Sequence, residues 1–437
     1  MTREETNEAS GRGVAGAARW VQATRAFASR HLDMRPSKGL TRGGIVTELL
    51  ERRLSRRRFL ARSTAAATGA AALITGCTSG GEKNPGTSAG TSGGGTAPPS
   101  PQATASGQAA APALTTENFE RAHQYSVARG GLGMLVMKGA DLLFERYATA
   151  EQVHRLASGT KSFSGAIAVA AIEDGVLHGF DELVSDTITE WQHDAAAPGK
   201  KDITTRQLLS LTSGLEPATS LLQGERTRDN RYRAALGVEL TMNPGTAFMY
   251  GPSHFYVFGE LMRRKLQSRN ETPLDYLTRR VLDPIGLRIA QWSKDEAGNP
   301  HMPAGAYLAA REWAKYGRLI KQRGMWQGKK ILDSAILAEC SRGSAVNPGY
   351  GLTFWLGLPI TPKIVTTCSA PPRDAAFPSD LVEAAGHGKQ RLYIIPSLDL
   401  VVVHQAESAT FRDREFLSLL LGAEPPVAGT AVDGQSD

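Results

Sequence analysis

The stretch "HRLASGTKSFSGAIAVAAIEDG", His154 to Gly175, begins as a polar turn and ends as an apolar run of helical length. Ser158 and Lys161 stand at the junction. Positions i and i+3 share one face of a helix, so a helix starting near Ser158 sets the hydroxyl beside the ammonium in its first turn. Serine is a weak nucleophile and needs a base. Lysine at its ordinary pKa of about 10.4 is a poor one. Partial burial and the positive end of a helix dipole both favour the free amine. The Ser158 N–H, at a helix start, has no intrahelical partner and can face an oxyanion. One stretch thus supplies a nucleophile, its activator and half an oxyanion hole, the S-x-x-K arrangement. The same spacing also arises as a helix N-cap followed by a solvated lysine. The apolar run that follows anchors the turn in a core and favours the catalytic reading. A G-x-S-x-G match, Gly86 to Gly90, has no strand before it and no helix after it, so it is no nucleophile elbow.

Outward from this turn, residues 114–422 read as one folded body. "GLGMLVMKGADLLFERYA", Gly131 to Ala148, predicts two strands around a Lys138–Asp141 turn. "RLYIIPSLDLVVVHQ", Arg391 to Gln405, predicts a hairpin around Pro396-Ser397, and "GYGLTFWLG", Gly349 to Gly357, a further strand. Leu208 to Leu215 reads as a short helix closed by Gly214, and a final helix is expected near Phe411 to Leu421. Strands at both ends with helices between predict an α+β architecture, an antiparallel sheet flanked by helices plus a helical region, with the site at their junction.

The 437 residues are 41% hydrophobic and 21% charged, an ordinary globular balance. The net charge of +7 is concentrated: residues 1–76 hold 14 basic and 6 acidic side chains, leaving 36 against 37 in the remainder. A near-neutral body argues against nucleic acid as a partner. Ser55-Arg56-Arg57-Arg58-Phe59-Leu60 resembles a twin-arginine export signal. The Ala/Thr/Gly-rich stretch after it is too short and too weakly apolar to span a bilayer stably. Ile74-Thr75-Gly76-Cys77 resembles a bacterial lipobox, with Cys77 as the lipidated residue. Residues 1–76 are therefore expected to be an export signal. Its long stretch ahead of the arginines is either an extension or points to a translation start further on, near Met34 or Val46. Residues 77–113, rich in Gly, Ser, Thr, Pro and Ala, read as a disordered tether, and 423–437 as a flexible tail. This predicts an exported periplasmic or cell-surface lipoprotein, held at the membrane by its lipid anchor only. Cys340 and Cys368 either pair after export or remain buried thiols. No CxxC or HExxH pair occurs, so neither a metal nor another cofactor is expected.

"ASGTKSF" resembles the nucleophile motif of the class C β-lactamase-related serine hydrolases, a family that includes penicillin-recognising carboxypeptidases and esterases. "DITTRQLLSLTSGLEP" (Asp202 to Pro217) and "NPGTAFMYGPSHFYVFGELM" (Asn243 to Met262) resemble further segments of it. "AREWAKYGRLIKQRGMWQGKKIL" and "AAGHGKQRLYIIPSLDLVVV" resemble its esterase and aminohexanoate-oligomer hydrolase branch. The resemblance implies a β-lactamase/transpeptidase-like fold and a role for Tyr250 as general base with Lys161. It places His387-Gly388-Lys389 on the strand edging the site, where a K-T-G lysine would hold a substrate carboxylate, and gives the second oxyanion N–H to Gln390. Lys389, two residues on, would share the strand face of His387 and replace that lysine. The asparagine expected two residues after the tyrosine is Pro252, with Ser253 or His254 left to fill the space. These departures favour a small ester or amide as acyl donor. A β-lactamase or D-alanyl-D-alanine carboxypeptidase acting on a peptidoglycan-like substrate is the second reading. A non-catalytic cell-envelope binding lipoprotein is the third.

Overall fold

The structure, a computed structural model, describes residues 114–150, 152–357, 378–408 and 410–422. The export segment with Cys77, the tether, Cys368 and the tail lie outside the described residues.

Continuous apolar runs, buried on both faces, build the middle of the central sheet. The strands are β1 (Gly131–Lys138), β2 (Asp141–Tyr147), β6 (Trp355–Leu356), β7 (Val382–Gly386), β8 (Gln390–Ile395) and β9 (Leu400–Ala406). They form one antiparallel sheet in the order β2-β1-β9-β8-β7-β6. Because side chains alternate along a strand, Met134 and Val136 of β1 face one layer and Leu135 the other. Helices α1 (Thr116–Val127) and α7 (Asp413–Leu421) cover the first face, packing Phe119, Ala122, Phe416 and Leu420 on Tyr393 and Val402. Helices α2 (Ser162–Glu173) and α6 (Ala310–Lys321) lie in the larger core on the other side with Leu392, Ile394, Val401 and Val403.

Helix α2 is apolar all round, the pattern of a helix enclosed by other elements, and Ser162 through Ala171 are all buried. The helical region beside it includes α3 (Thr205–Leu209), α4 (Arg231–Leu236) and α5 (Ser253–Lys265). A smaller sheet of β3 (Val153–Arg155), β4 (Gln291–Trp292) and β5 (Ala306–Ala309), in the order β3-β5-β4, leads the chain into the Ser158 turn. Among the described residues no helix is long and apolar enough to cross a membrane.

The α+β architecture expected from the sequence is the one observed, with three local differences. "GYGLTFWLG" contributes only Trp355–Leu356 to the sheet, because Thr353 takes a left-handed φ of 80°, incompatible with an extended strand. The helix expected over Leu208–Leu215 is α3, ending at Leu209; Leu211 at φ 60° turns the chain out of it. His387-Gly388-Lys389 is not strand: it is the turn that joins β7 to β8, with Gly388 at φ 74° and Lys389 at φ 65°.

Candidate active site

Ser158 sits in a 3-10 turn, Ala157–Lys161, that runs directly into α2. A 3-10 helix has three residues per turn, so side chains at i and i+3 eclipse one another. Lys161 Nζ accordingly lies 2.9 Å from Ser158 Oγ. The turn is held by its surroundings: Leu156 N–H donates to the Ala306 carbonyl at 2.9 Å, and Ala306 N–H donates to Thr160 Oγ1 at 3.2 Å. Tyr316 OH donates to the Ser162 carbonyl at 2.7 Å. Ala157, immediately before the serine, has a left-handed φ of 46°, a conformation that a non-glycine residue keeps only when its neighbours impose it.

Lys161 is only 3% exposed, while Ser158 is half-buried. Lys161 Nζ also donates to the Pro303 carbonyl at 3.2 Å. It lies 4.9 Å from the ring centroid of Tyr250 and 5.5 Å from that of Phe255. Tyr250 is half-buried and stacks on Trp355 at 5.7 Å with an interplanar angle of 18°. The serine hydroxyl, the amine and the tyrosine ring thus lie together at the junction of sheet and helical region, an arrangement in which a serine can pass its proton to a neighbouring base.

The edge of the main sheet forms the opposite wall. A Cβ placed on Gly386 would come 2.0 Å from the Leu156 carbonyl oxygen and 3.0 Å from Gly159 N, so only glycine lets the end of β7 close on the Ser158 turn. The Leu381 carbonyl accepts from Gly357 N–H at 2.7 Å, which turns the Leu381 peptide toward the β6 side. Backbone groups alternate sides along a strand, so Ala385 directs its own the same way. The β6 pairing goes only as far as Glu383, so Ala385 lies past it on that edge.

The family model for β-lactamases matches residues 116–415. The chain belongs to the β-lactamase family. It is a serine hydrolase of β-lactamase/transpeptidase-like fold. Solved structures share that fold. EstCE1, "a hydrolase with promiscuous acyltransferase activity", is 18% identical with a TM-score of 0.54, covering 70% of this chain and 98% of its own. A protein of Bacillus anthracis provisionally designated a 6-aminohexanoate-dimer hydrolase is 20% identical with a TM-score of 0.53, covering 69% and 79%. The octameric penicillin-binding protein homologue of Pyrococcus abyssi is 16% identical with a TM-score of 0.52, covering 70% and 77%. A comparison with curated protein sequences gave no match.

Within this β-lactamase-family domain the remaining site residues fall unevenly. Pro252 is buried at the start of α5 and has no amide to offer. His254, expected to fill the space, is instead a fully buried packing residue: Nε2–H donates to the Met249 carbonyl at 2.7 Å, and Nδ1 accepts from Ser213 OH at 2.8 Å. Burial first, and the nearby Lys161 charge, push its pKa down to about 4, against the pull of the Met249 bond, so the ring is neutral. Ser253 is fully buried as well.

His387 is exposed in the β7–β8 turn, with Gly388 and Lys389 half-buried beside it. Strand alternation therefore does not put Lys389 on one face with His387. Gln390, named as the second oxyanion donor, lies on β8, one strand further from the Ser158 turn than β7. It pairs there with Gly386, and its side-chain amide donates to the Ala406 carbonyl. Cys340 is a free, buried thiol whose pKa burial pushes up to about 12, so it is inert at neutral pH.

Sequence reasoning missed the Pro303 carbonyl, which engages Lys161 through the main chain, and the edge position of Ala385 beyond the β6 pairing. Backbone carbonyl and N–H groups carry no residue signature, so only the fold reveals them.

Proposed function

We propose that this β-lactamase-family domain hydrolyses a small ester or amide through an acyl-enzyme on Ser158. The observation that carries the reading is the 2.9 Å contact of Lys161 Nζ with Ser158 Oγ beside the Tyr250 ring. The Pro303 carbonyl engages one N–H of Lys161, so in the free-amine form the lone pair serves the serine hydroxyl. Ammonium charge beside the phenol favours its phenolate, and the pair shares the proton that leaves Ser158. Ser158 Oγ attacks the acyl carbon, and the oxyanion is received by the N–H groups of Ser158 and Ala385. Collapse breaks the bond to the leaving group, which takes its proton from Tyr250. Water then adds to the acyl-serine by the same route in reverse and releases the acid.

The preference for a small ester or amide over a β-lactam rests on Pro252, which cannot present a side-chain amide to a substrate carbonyl. We further propose, on the sequence signals alone, that the protein is exported by the twin-arginine route and anchored through lipidated Cys77, with the tether of residues 77–113 carrying the domain.

A fluorophosphonate with a panel of p-nitrophenyl butyrate, an anilide and nitrocefin tests the reading. Labelling and ester turnover are expected in the wild type and lost in Ser158→Ala. Equal behaviour of the two proteins would overturn the enzyme assignment, and nitrocefin turnover above ester turnover would overturn the substrate ranking. Palmitate incorporation should vanish in Cys77→Ala, and a variant still labelled would end the lipoprotein reading.

A further inference from the structure

The hairpin that closes on Ser158 is fastened from behind by a buried charged group with no part in the chemistry above. Arg391 pairs with Ala385 in the β7–β8 register, and its side chain points to the α1/α7 face, away from the Ser158 turn. Arg391 is 6% exposed, and its guanidinium grips Asp413 with two N–H groups, Nε to Oδ1 at 2.6 Å and Nη2 to Oδ2 at 3.2 Å. Glu383 Oε1 lies 3.0 Å from Nε, and Tyr393 OH donates to Asp413 Oδ1 at 2.6 Å.

Such a cluster is a poor device for stability alone, because desolvating its charges costs about what their attraction returns. The remaining arm gives it a purpose. Nη1 donates to the Gly386 and Gln390 carbonyls, both at 3.0 Å. These residues begin and end the turn, and Gly386 is the one that abuts Leu156 and Gly159. A planar fork with fixed N–H directions can hold a carboxylate on one edge and two carbonyls on another, which a lysine cannot do. The turn between them is tied in the same direction, since the Lys389 carbonyl accepts from Nδ1–H of buried His404 at 2.9 Å.

We propose that Arg391, oriented by Asp413, is a positioning residue for acyl transfer. It fixes the end of β7, and through it the Ala385 N–H, at the place where the oxyanion forms. This rests on the reading of Ser158 as the acyl-transfer nucleophile. Arg391 touches no substrate, so its removal should weaken the transition state more than the ground state.

The test uses the full chain and three variants, Arg391→Lys, Asp413→Asn and Tyr393→Phe. For each, kcat and KM are measured with p-nitrophenyl butyrate, Ki with a phenylboronic acid whose tetrahedral adduct places an oxygen in the oxyanion site, and the melting temperature. Losing one oxyanion donor outright costs about 10²–10³ in kcat. Mispositioning it in Arg391→Lys or Asp413→Asn is expected to cost roughly tenfold or more in kcat, with KM within about twofold and boronate Ki raised in parallel. Tyr393→Phe loses only the bond to Asp413 and should show a smaller change of the same kind. It decides the matter if the other two do not fold. A folded variant with kcat and Ki within about twofold of wild type, or a kcat loss with unchanged boronate Ki, would overturn the proposal. Failure of the underlying reading looks different, because the wild type itself would then neither turn over ester nor bind the boronate.

Discussion

Tyr250 is the residue on which the proton path turns. Phe at this position keeps the stack on Trp355 but removes the hydroxyl, so Tyr250→Phe should fold normally and lose roughly 10²–10⁴ in kcat for an ester. A loss smaller than tenfold would assign the base role to Lys161 alone. At this scale Ser158 and Lys161 were readable as a pair ahead of an apolar run and Tyr250 through the family resemblance, and in the fold Lys161 lies beside both. His254 was offered to fill the space of the asparagine that Pro252 replaces. Here Ser213 and Met249 engage both ring nitrogens in the interior.

At the scale of elements, the decisive feature is how β7 meets the Ser158 turn. Gly386→Ala would press a methyl group on the Leu156 carbonyl, whose backbone cannot yield as a side-chain tip can. The expected cost is about 1–3 kcal/mol of stability, together with a fall in kcat, read by thermal melting and ester kinetics. An alanine variant with unchanged melting and turnover would show that β7 and the turn are not in close contact. The same hairpin explains where sequence reasoning slipped. The apolar runs on either side of Pro396 made β8 and β9 readable almost residue for residue, but carrying a strand back through His387 presumes unbroken extended backbone. Gly388 and Lys389, both at positive φ, take the turn out of that pattern, so His387 left the strand and Gln390 moved one strand inward. The run at Gly349–Gly357 failed as a strand for the same reason, at Thr353.

At the scale of the molecule, His254, His301 and His404, among the described residues, are held neutral chiefly by burial, each with its pKa pushed down to about 4. The unfolded chain titrates its histidines near 6.5. Between those values it binds more protons than the folded protein, so stability falls as pH drops from about 6.5 toward 4. For the fully buried His254 and His404 the loss is on the order of 3 kcal/mol each by the lower limit. Asp413 acts below that window: Arg391 and Tyr393 outweigh its burial and hold its pKa down to about 2, so its contribution fades only as pH falls below about 4. Melting temperature should therefore decline from pH 7 to pH 5, and a flat profile would contradict the burial of these rings. The layered architecture was readable because strand and helix periods dictate it. The charged cluster behind the sheet was not, since Glu383, Arg391 and Asp413 have no motif spacing and only the β7–β8 register and the packing of α7 set them together. The stack of Trp355 on Tyr250 has an optical consequence for the intact protein. A tyrosinate absorbs where tryptophan emits and drains excitation from an indole lying against it. If Tyr250 ionises when the site is charged for reaction, ultraviolet emission from Trp355 should dim in step with activity as pH is raised. The difference between wild type and Trp355→Phe would isolate that signal from the five other tryptophans.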